Sequence, residues 1–459
     1  MTIANGFLHT DGNQIVDSSG QNIKLTGVNW FGGEGFVFNP NGMDMRGYWG
    51  MMDQMKSLGF NTIRLPWSDA GLDADRATGI DTSKNPDLEN KTPLEVMDKV
   101  IDYAGRIGLK VILDHHRSSD GASANENGLW YDDKYPESKM IENWKMLAER
   151  YKGNDTVIGA DLHNEPHGDA TWGGGDHATD WAWAAERIGN AIQSVNKDWL
   201  LMVEGVEVQD NKWDWWGGNL AGAKDRPIEF DTPNKLVYSV HSYGPSVNEM
   251  SWFKDSNFPN NMPQQYTDNW GWALKDNKAP VLVGEFGGKL DTDQDKAYMA
   301  KLVQYMNGDF DGNGTNDLGA GKQGASWTYW SWNPNSGDTG GILKDDWQTV
   351  DQTKMNAIKA GLYAGGASAG KAAWSPASAQ SLSEGVHQVD GQQDAGQDNV
   401  NVWTHAAVQA QPAAAAAVAA PTAEVAAALH DLTVTGLGHV DAAHDPSQIH
   451  YTALDHSAG

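Results

Sequence analysis

The chain contains no cysteine in 459 residues, so disulfides cannot staple it and thiolate metal sites are excluded. Basic residues are scarce as well. The 33 Lys and Arg face 61 Asp and Glu, a formal net charge of -28 at pH 7. Nucleic acid and anionic membrane both call for a basic footprint, so neither is expected as a partner. No apolar stretch reaches the length of a membrane span. The opening residues, MTIANGFLHTDGNQIV, lack the basic and apolar segments of a signal peptide. What is abundant is tryptophan, 21 residues of it. Many must fill a core, but a flat indole face also suits the C–H face of a sugar ring.

Short apolar runs alternate with helix-like stretches over the first 365 residues. The predicted strands are 23–30, 61–66, 110–116, 157–165, 199–205, 235–243, 280–287 and 324–332. Helices are predicted at 43–59, 93–108, 137–153, 179–196, 263–277, 293–308 and 353–365. The strands are near-continuous apolar runs, as expected of parallel strands covered on both faces. Eight such strands alternating with helices fit a (β/α)8 TIM barrel. A doubly wound sheet is the rival, but GVNWFGGEG lacks the spacing of a dinucleotide fingerprint. Before the first barrel strand, two glycine-containing turn signals predict a short N-terminal β-hairpin. Residues 366–459 are biased to Ala, Gly, Ser and Pro and read as a low-complexity C-terminal linker and tail.

Chemistry in such a barrel gathers at the C-terminal ends of its strands. Those ends carry Trp30, Arg64, His115, His116, Asn164, Glu165, Glu204, His241, Tyr243, Glu285, Trp330 and Trp332. Glu165 after the fourth strand and Glu285 after the seventh can face each other across one substrate bond. Retaining glycoside hydrolysis requires two carboxyl groups about 5–5.5 Å apart, one a proton donor and one a nucleophile. Arg64 can keep one of them ionised by opposite charge. A pair of structural, salt-bridged acids is the competing reading.

His115 and His116 are adjacent on a strand and point to opposite faces, so they cannot readily chelate one ion. One is expected in the cleft and the other in surrounding structure. His163 and His167 are expected in loop or packing roles. DFDGNGTND (309–317) starts like a calcium loop, but Ala320 stands where the closing bidentate Glu belongs, which favours a solvated acidic turn.

The segments NTIRLP, VILDHHR, DLHNEPHG, HSYGP, LVGEFGG and WSWNPNSGDTGGIL resemble the bacterial endo-β-1,4-glucanases of glycoside hydrolase family 5. The likeness runs in order from Gly6 to Leu362. It implies a TIM barrel and a retaining double displacement with no metal or organic cofactor. It also implies roles: Glu165 as general acid/base, Glu285 as nucleophile, and Arg64 and Tyr243 as the groups holding that nucleophile. Asn164 corresponds to the residue on the sugar 2-hydroxyl and His116 to the cleft histidine. His241 matches the partner of the acid/base, and Trp330 the stacking platform beside the cleaved bond. Trp30 and Trp216 resemble platforms further along the cleft. The expected ligand is a β-glucan polysaccharide or oligosaccharide, with mannan, xyloglucan and mixed-linkage glucan as alternatives. A non-catalytic carbohydrate-binding barrel is the reading from another class. A secreted monomer is expected, because polymeric substrates do not enter cells.

Overall fold

The computed structural model describes residues 6–364. The tail expected at 366–459 lies outside the described residues. The chain opens with β1 (His9–Asp11), β2 (Gln14–Val16) and β3 (Asn22–Ile23), an antiparallel sheet in that order. The two turn signals thus build two successive hairpins rather than one.

Eight parallel strands then close a barrel: β4 (Thr26–Asn29), β5 (Thr62–Ser68), β6 (Lys110–Arg117), β7 (Val157–Asp161) and β8 (Leu200–Glu204), followed by β11 (Leu236–His241), β12 (Val281–Glu285) and β13 (Ser326–Tyr329). Each pairs with its sequence neighbour, and β13 closes onto β4. All eight fall within or overlap the segments predicted for them. Between β8 and β11 lies a small hairpin, β9 (Val208–Gln209) and β10 (Lys212–Trp213), absent from the sequence reading. Asp210 and Asn211 turn it with positive φ at both positions, the backbone of a two-residue hairpin turn.

The helices are α1 (Tyr48–Ser57), α2 (Asp69–Asp73), α3 (Pro93–Ile107), α4 (Glu137–Arg150), α5 (Trp181–Gln193), α6 (Met262–Tyr266), α7 (Trp272–Lys275), α8 (Asp293–Met306) and α9 (Gln352–Ile358). Their boundaries follow local chemistry. At α3, Thr92 and Glu95 form a reciprocal capping box, Pro93 takes the first turn, and Gly108 ends the helix with φ 74°. The helix predicted over 263–277 is instead interrupted by a π-helical turn, Thr267–Gly271, between α6 and α7. At Gly271 an added Cβ would lie 1.9 Å from the Tyr305 hydroxyl, so the bulge packs where no larger residue fits.

The period of two along each strand sorts side chains into a helix-facing shell and a barrel interior. On β8, Leu201 and Val203 join the outer core, while Leu200 and Met202 join an inner cluster. That inner cluster also contains Leu8, Ile15 and Ile23, together with Ile112, Ile158, Val237 and Leu282. The N-terminal sheet therefore stoppers the end of the barrel where the strands begin, leaving the opposite end for polar groups. β4 and β5 approach so closely that a Cβ on Gly27 would sit 2.1 Å from the Thr62 carbonyl oxygen, which only glycine allows. Among the described residues, no helix is long and apolar enough to cross a membrane.

Candidate active site

Continuing the inward register toward the strand ends replaces apolar side chains with charged ones. Arg64 on β5 is fully buried and forms the hub. Its Nε donates to Asp161 Oδ2 at 2.9 Å, and Nη1 donates to Asn29 Oδ1 at 3.0 Å and Glu285 Oε1 at 2.7 Å. Nη2 reaches Asn164 Oδ1 at 3.1 Å, Glu204 Oε1 at 3.2 Å and Asp114 Oδ1 at 3.0 Å. One guanidinium thus ties β4, β5, β6, β7, β8 and β12 together. Burial opposes its charge, but Asp114, Asp161, Glu285 and Glu204 outweigh that and raise its pKa further.

Glu285 ends β12 with its second oxygen, Oε2, accepting from the Tyr243 hydroxyl at 2.6 Å. The phenol is therefore a donor, and burial followed by the Glu285 charge lifts its pKa well above the usual value. Both carboxylate oxygens of Glu285 are held by donors, which gives the group a defined orientation.

Glu165 lies just beyond β7 with φ 54°, a left-handed conformation that costs a non-glycine residue about 1 kcal/mol. Its backbone N–H donates to Glu204 Oε2 at 2.8 Å, and His167 Nδ1 lies 2.8 Å from its carbonyl oxygen. These bonds clamp the strained residue from both sides. Its carboxylate meets His241 Nδ1 at 2.9 Å and keeps 17% of the side chain open to solvent. Burial would raise the Glu165 pKa, but the His241 hydrogen bond and charge override it and lower it.

A carboxylate oxygen of Glu165, one of Glu285 and a His241 ring nitrogen all lie within 4.8 Å of one another. So close an approach of one oxygen from each carboxyl group suits the short separation of retaining pairs, roughly 5–5.5 Å, better than the roughly 6.5–9.5 Å that leaves room for a water in inverting ones.

His116 points inward beside Asp114, its Nδ1 2.7 Å from Asp114 Oδ2. Burial acts against the charged ring, yet the Asp114 carboxylate pushes its pKa up to about 9. A raised histidine pKa stabilises the fold fully below the unfolded value of about 6.5 and ceases to do so as pH rises through the folded value. The stability deficit of His116→Gln is accordingly expected to be larger at pH 6 than at pH 9.5. Urea denaturation at both pH values measures it, and an equal deficit would show that His116 is not charged in the fold.

The ring of Trp330 is parallel to those of Phe31 and His116, at centroid distances of 5.0 and 5.5 Å. Trp216 is half-buried and stacks on His167 at 3.8 Å. Asn164 Oδ1 is held by Arg64, while its Nδ2 makes no hydrogen bond among the described residues.

The structure thus brings Glu165, Glu285, Arg64, Asn164, His241 and Tyr243 into one hydrogen-bonded cluster, with His116 and Trp330 beside it. Trp30 requires a correction. It is completely buried, donates its indole N–H to the Asn41 carbonyl at 2.9 Å, and belongs to the outer core. Its neighbour Asn29 faces inward to Arg64, so Trp30 must face outward and cannot be a sugar platform.

The same alternation separates the paired histidines. His115 is buried outside the barrel, bonded to Asp69 and His163 at 2.9 Å each. His163 is kept neutral by burial and by the neighbouring histidines. Asn29, Asp114, Asp161 and the site role of Glu204 were not foreseen from sequence. A usable signal existed, since Asp114 precedes His116 by two on one strand and so shares its face. In the acidic loop, Asp309, Asp311 and Asp317 gather within 4.8 Å, and each carboxylate accepts backbone N–H groups of the same turn.

Residues 16–336 match the cellulase family, glycosyl hydrolase family 5. An endoglucanase of Paenibacillus polymyxa is 49% identical over 360 residues, covering 77% of this chain and 86% of its own. The major extracellular endoglucanase of Xanthomonas campestris is 43% identical over 353 residues, covering 75% and 69%. The solved catalytic domain of the major Xanthomonas campestris endoglucanase superposes with a TM-score of 0.70 at 40% identity, over 77% of this chain and 99% of that one. A cellotetraose complex of an endocellulase from Pyrococcus horikoshii gives the same TM-score at 38% identity, over 78% and 99%. Fold, strand-end chemistry and relatives agree, and the chain belongs to glycosyl hydrolase family 5.

Proposed function

We propose that the protein is an endo-β-1,4-glucanase that cleaves internal bonds of cellulose or related β-glucans with retention of configuration. The observation that carries this reading is the approach of the Glu165 and Glu285 carboxylates to within 4.8 Å at the mouth of the barrel. Glu285 attacks the anomeric carbon and forms a covalent glycosyl ester, while Glu165 protonates the departing oxygen. Glu165 then takes a proton from water, whose oxygen displaces Glu285. Arg64 and Tyr243 donate to the two oxygens of Glu285 and aim it along one line. Asn164 offers its spare Nδ2 donor to the sugar 2-hydroxyl, and His116 offers a cationic edge to a neighbouring hydroxyl. Trp330 and Trp216 supply ring faces along the cleft.

Glu165 rests as a carboxylate beside His241, and the acid it must become differs from that state by one proton moved along a 2.9 Å hydrogen bond. Residues 1–365 constitute the catalytic unit, acting as a monomer outside the cell, where its polymeric substrate is found.

Reducing-sugar release from carboxymethylcellulose, mannan, xylan and barley β-glucan, assayed in parallel, tests the substrate class. The highest specific activity is expected on a β-glucan. A clear preference for mannan or xylan would replace the substrate while leaving the mechanism, and inactivity on all four would remove the enzymatic reading.

A further inference from the structure

Glu204 is a buried carboxyl group at the end of β8 that the two-carboxylate mechanism does not use. Its exposure is 0%, and both of its oxygens are committed. Oε2 accepts the backbone N–H of Glu165 at 2.8 Å. Oε1 lies 3.1 Å from His241 Nε2 and 3.2 Å from Arg64 Nη2. The opposite nitrogen of the same imidazole, Nδ1, lies 2.9 Å from Glu165 Oε1. The groups therefore line up as a carboxyl–imidazole–carboxyl chain from the closed interior to the cleft, with a close charge contact at the Glu204 end and a hydrogen bond at the Glu165 end. A second contact, from Glu204 to the Glu165 backbone, loops round to its far end.

The surroundings make this chain hold protons. Glu204 faces Arg64 from β5 and His241 from β11 and feels the charge of Asp161 from β7, and Glu285 from β12 lies 3.6 Å from the imidazole. Including Asp114, four carboxyl groups share one permanent cation, so they cannot all be ionised in a buried space. Burial, helped by Asp161 against the pull of His241, lifts the Glu204 pKa to about 8. His241, despite burial, is raised well above the usual histidine range by Glu204 and Glu285. The interior end of the chain thus binds protons more tightly than its cleft end.

We infer that Glu204 is a positioning residue for the general acid: it anchors the strained backbone of Glu165 and, through His241, sets when Glu165 carries its proton. The transfer balances without any other reactant. His241, held as an imidazolium beside Glu204, passes its Nδ1 proton to Glu165 Oε1 along their 2.9 Å hydrogen bond. This leaves a neutral Glu165 carboxyl and a neutral imidazole protonated at Nε2, with Glu204 unchanged beside it. When Glu165 has given that proton to the glycosidic oxygen, the chain is one proton short, and the hydrolytic water restores it at Glu165. The inference rests on the assignment of Glu165 as the acid.

Glu204→Gln keeps an acceptor for the Glu165 N–H but removes the charge and the exchangeable proton. A cellotetraose bond needs its leaving oxygen protonated; the bond in 2,4-dinitrophenyl cellobioside does not. We expect kcat/KM of Glu204→Gln to fall by about 10²-fold on cellotetraose and by less than about threefold on the dinitrophenyl substrate. The alkaline limb on cellotetraose should move to lower pH, because a less negative chain releases its shared proton more readily. Equal losses on both substrates, or an alkaline limb left in place, would overturn the proton-setting role. If the glutamine variant does not fold, Glu204→Asp keeps the counter-charge to Arg64 and withdraws the carboxyl from His241, and the same selective loss is expected. Glu165→Ala separates the two levels. Leaving-group selectivity there but not in the Glu204 variants sinks the inference alone, whereas its absence in Glu165→Ala sinks the acid assignment beneath it.

Discussion

Glu285→Gln is expected to lower hydrolysis of cello-oligosaccharides by about 10⁴-fold or more while leaving their binding measurable. A loss of that size corresponds to roughly 5.5 kcal/mol of transition-state stabilisation at about 1.4 kcal/mol per decade. The reasoning is local. Glutamine has nearly the same shape, so its Oε1 can still accept from Arg64, which donates to Glu285 Oε1 at 2.7 Å. Its amide nitrogen, however, meets the Tyr243 hydroxyl as a donor, and the phenol must turn its proton away. The ring faces and the Asn164 amide proposed to meet the sugar are not touched by the change. What disappears is the carboxylate proposed to form the glycosyl ester. Calorimetric titration with cellotetraose beside a steady-state assay reads the two consequences separately. Retained turnover would show that Glu285 is not the nucleophile, and lost binding would show that it is chiefly a recognition group.

Most of what places these residues was legible in the sequence because it depends on short-range rules. Along several barrel strands apolar inward members give way to polar ones at the end, as at Met202 and Glu204 on β8 or Val237 and His241 on β11. What was not legible depends on partners distant in sequence. Arg64 reads as one cation near one acid, and only closure of the barrel brings Asp114, Asp161, Glu204 and Glu285 around it. Trp30 was misplaced because its platform role was carried over from the family resemblance, when the alternation after Asn29 already turned it outward. The β9–β10 hairpin was passed over because each strand is two residues long, too short for a periodicity to register. Its turn signal, Asp210-Asn211, was nonetheless present.

Arg64→Met should destabilise the fold by about 3–5 kcal/mol at pH 7 and abolish most activity. Methionine fills a comparable volume, so the cost is not a cavity. It comes from leaving buried carboxylates without their common cation, and removing one partner of a buried ion pair typically costs that much. The pH dependence distinguishes this from a packing defect. Burial alone would raise the Asp114 pKa, but Arg64 and then His116 reverse the effect and hold it below the usual carboxylate value. A depressed carboxylate pKa contributes stability above the unfolded value of about 3.9, and loses it as pH falls through the lower folded value. Without Arg64 that contribution is largely gone at neutral pH, and Asp114 and its neighbours bind protons in the folded state instead. The gap between the parent and Arg64→Met should therefore narrow steadily as pH falls from 7 to 4 in urea denaturation. A gap that stays constant over that range would mean that Arg64 holds the barrel by packing rather than by neutralising the acids that converge on it.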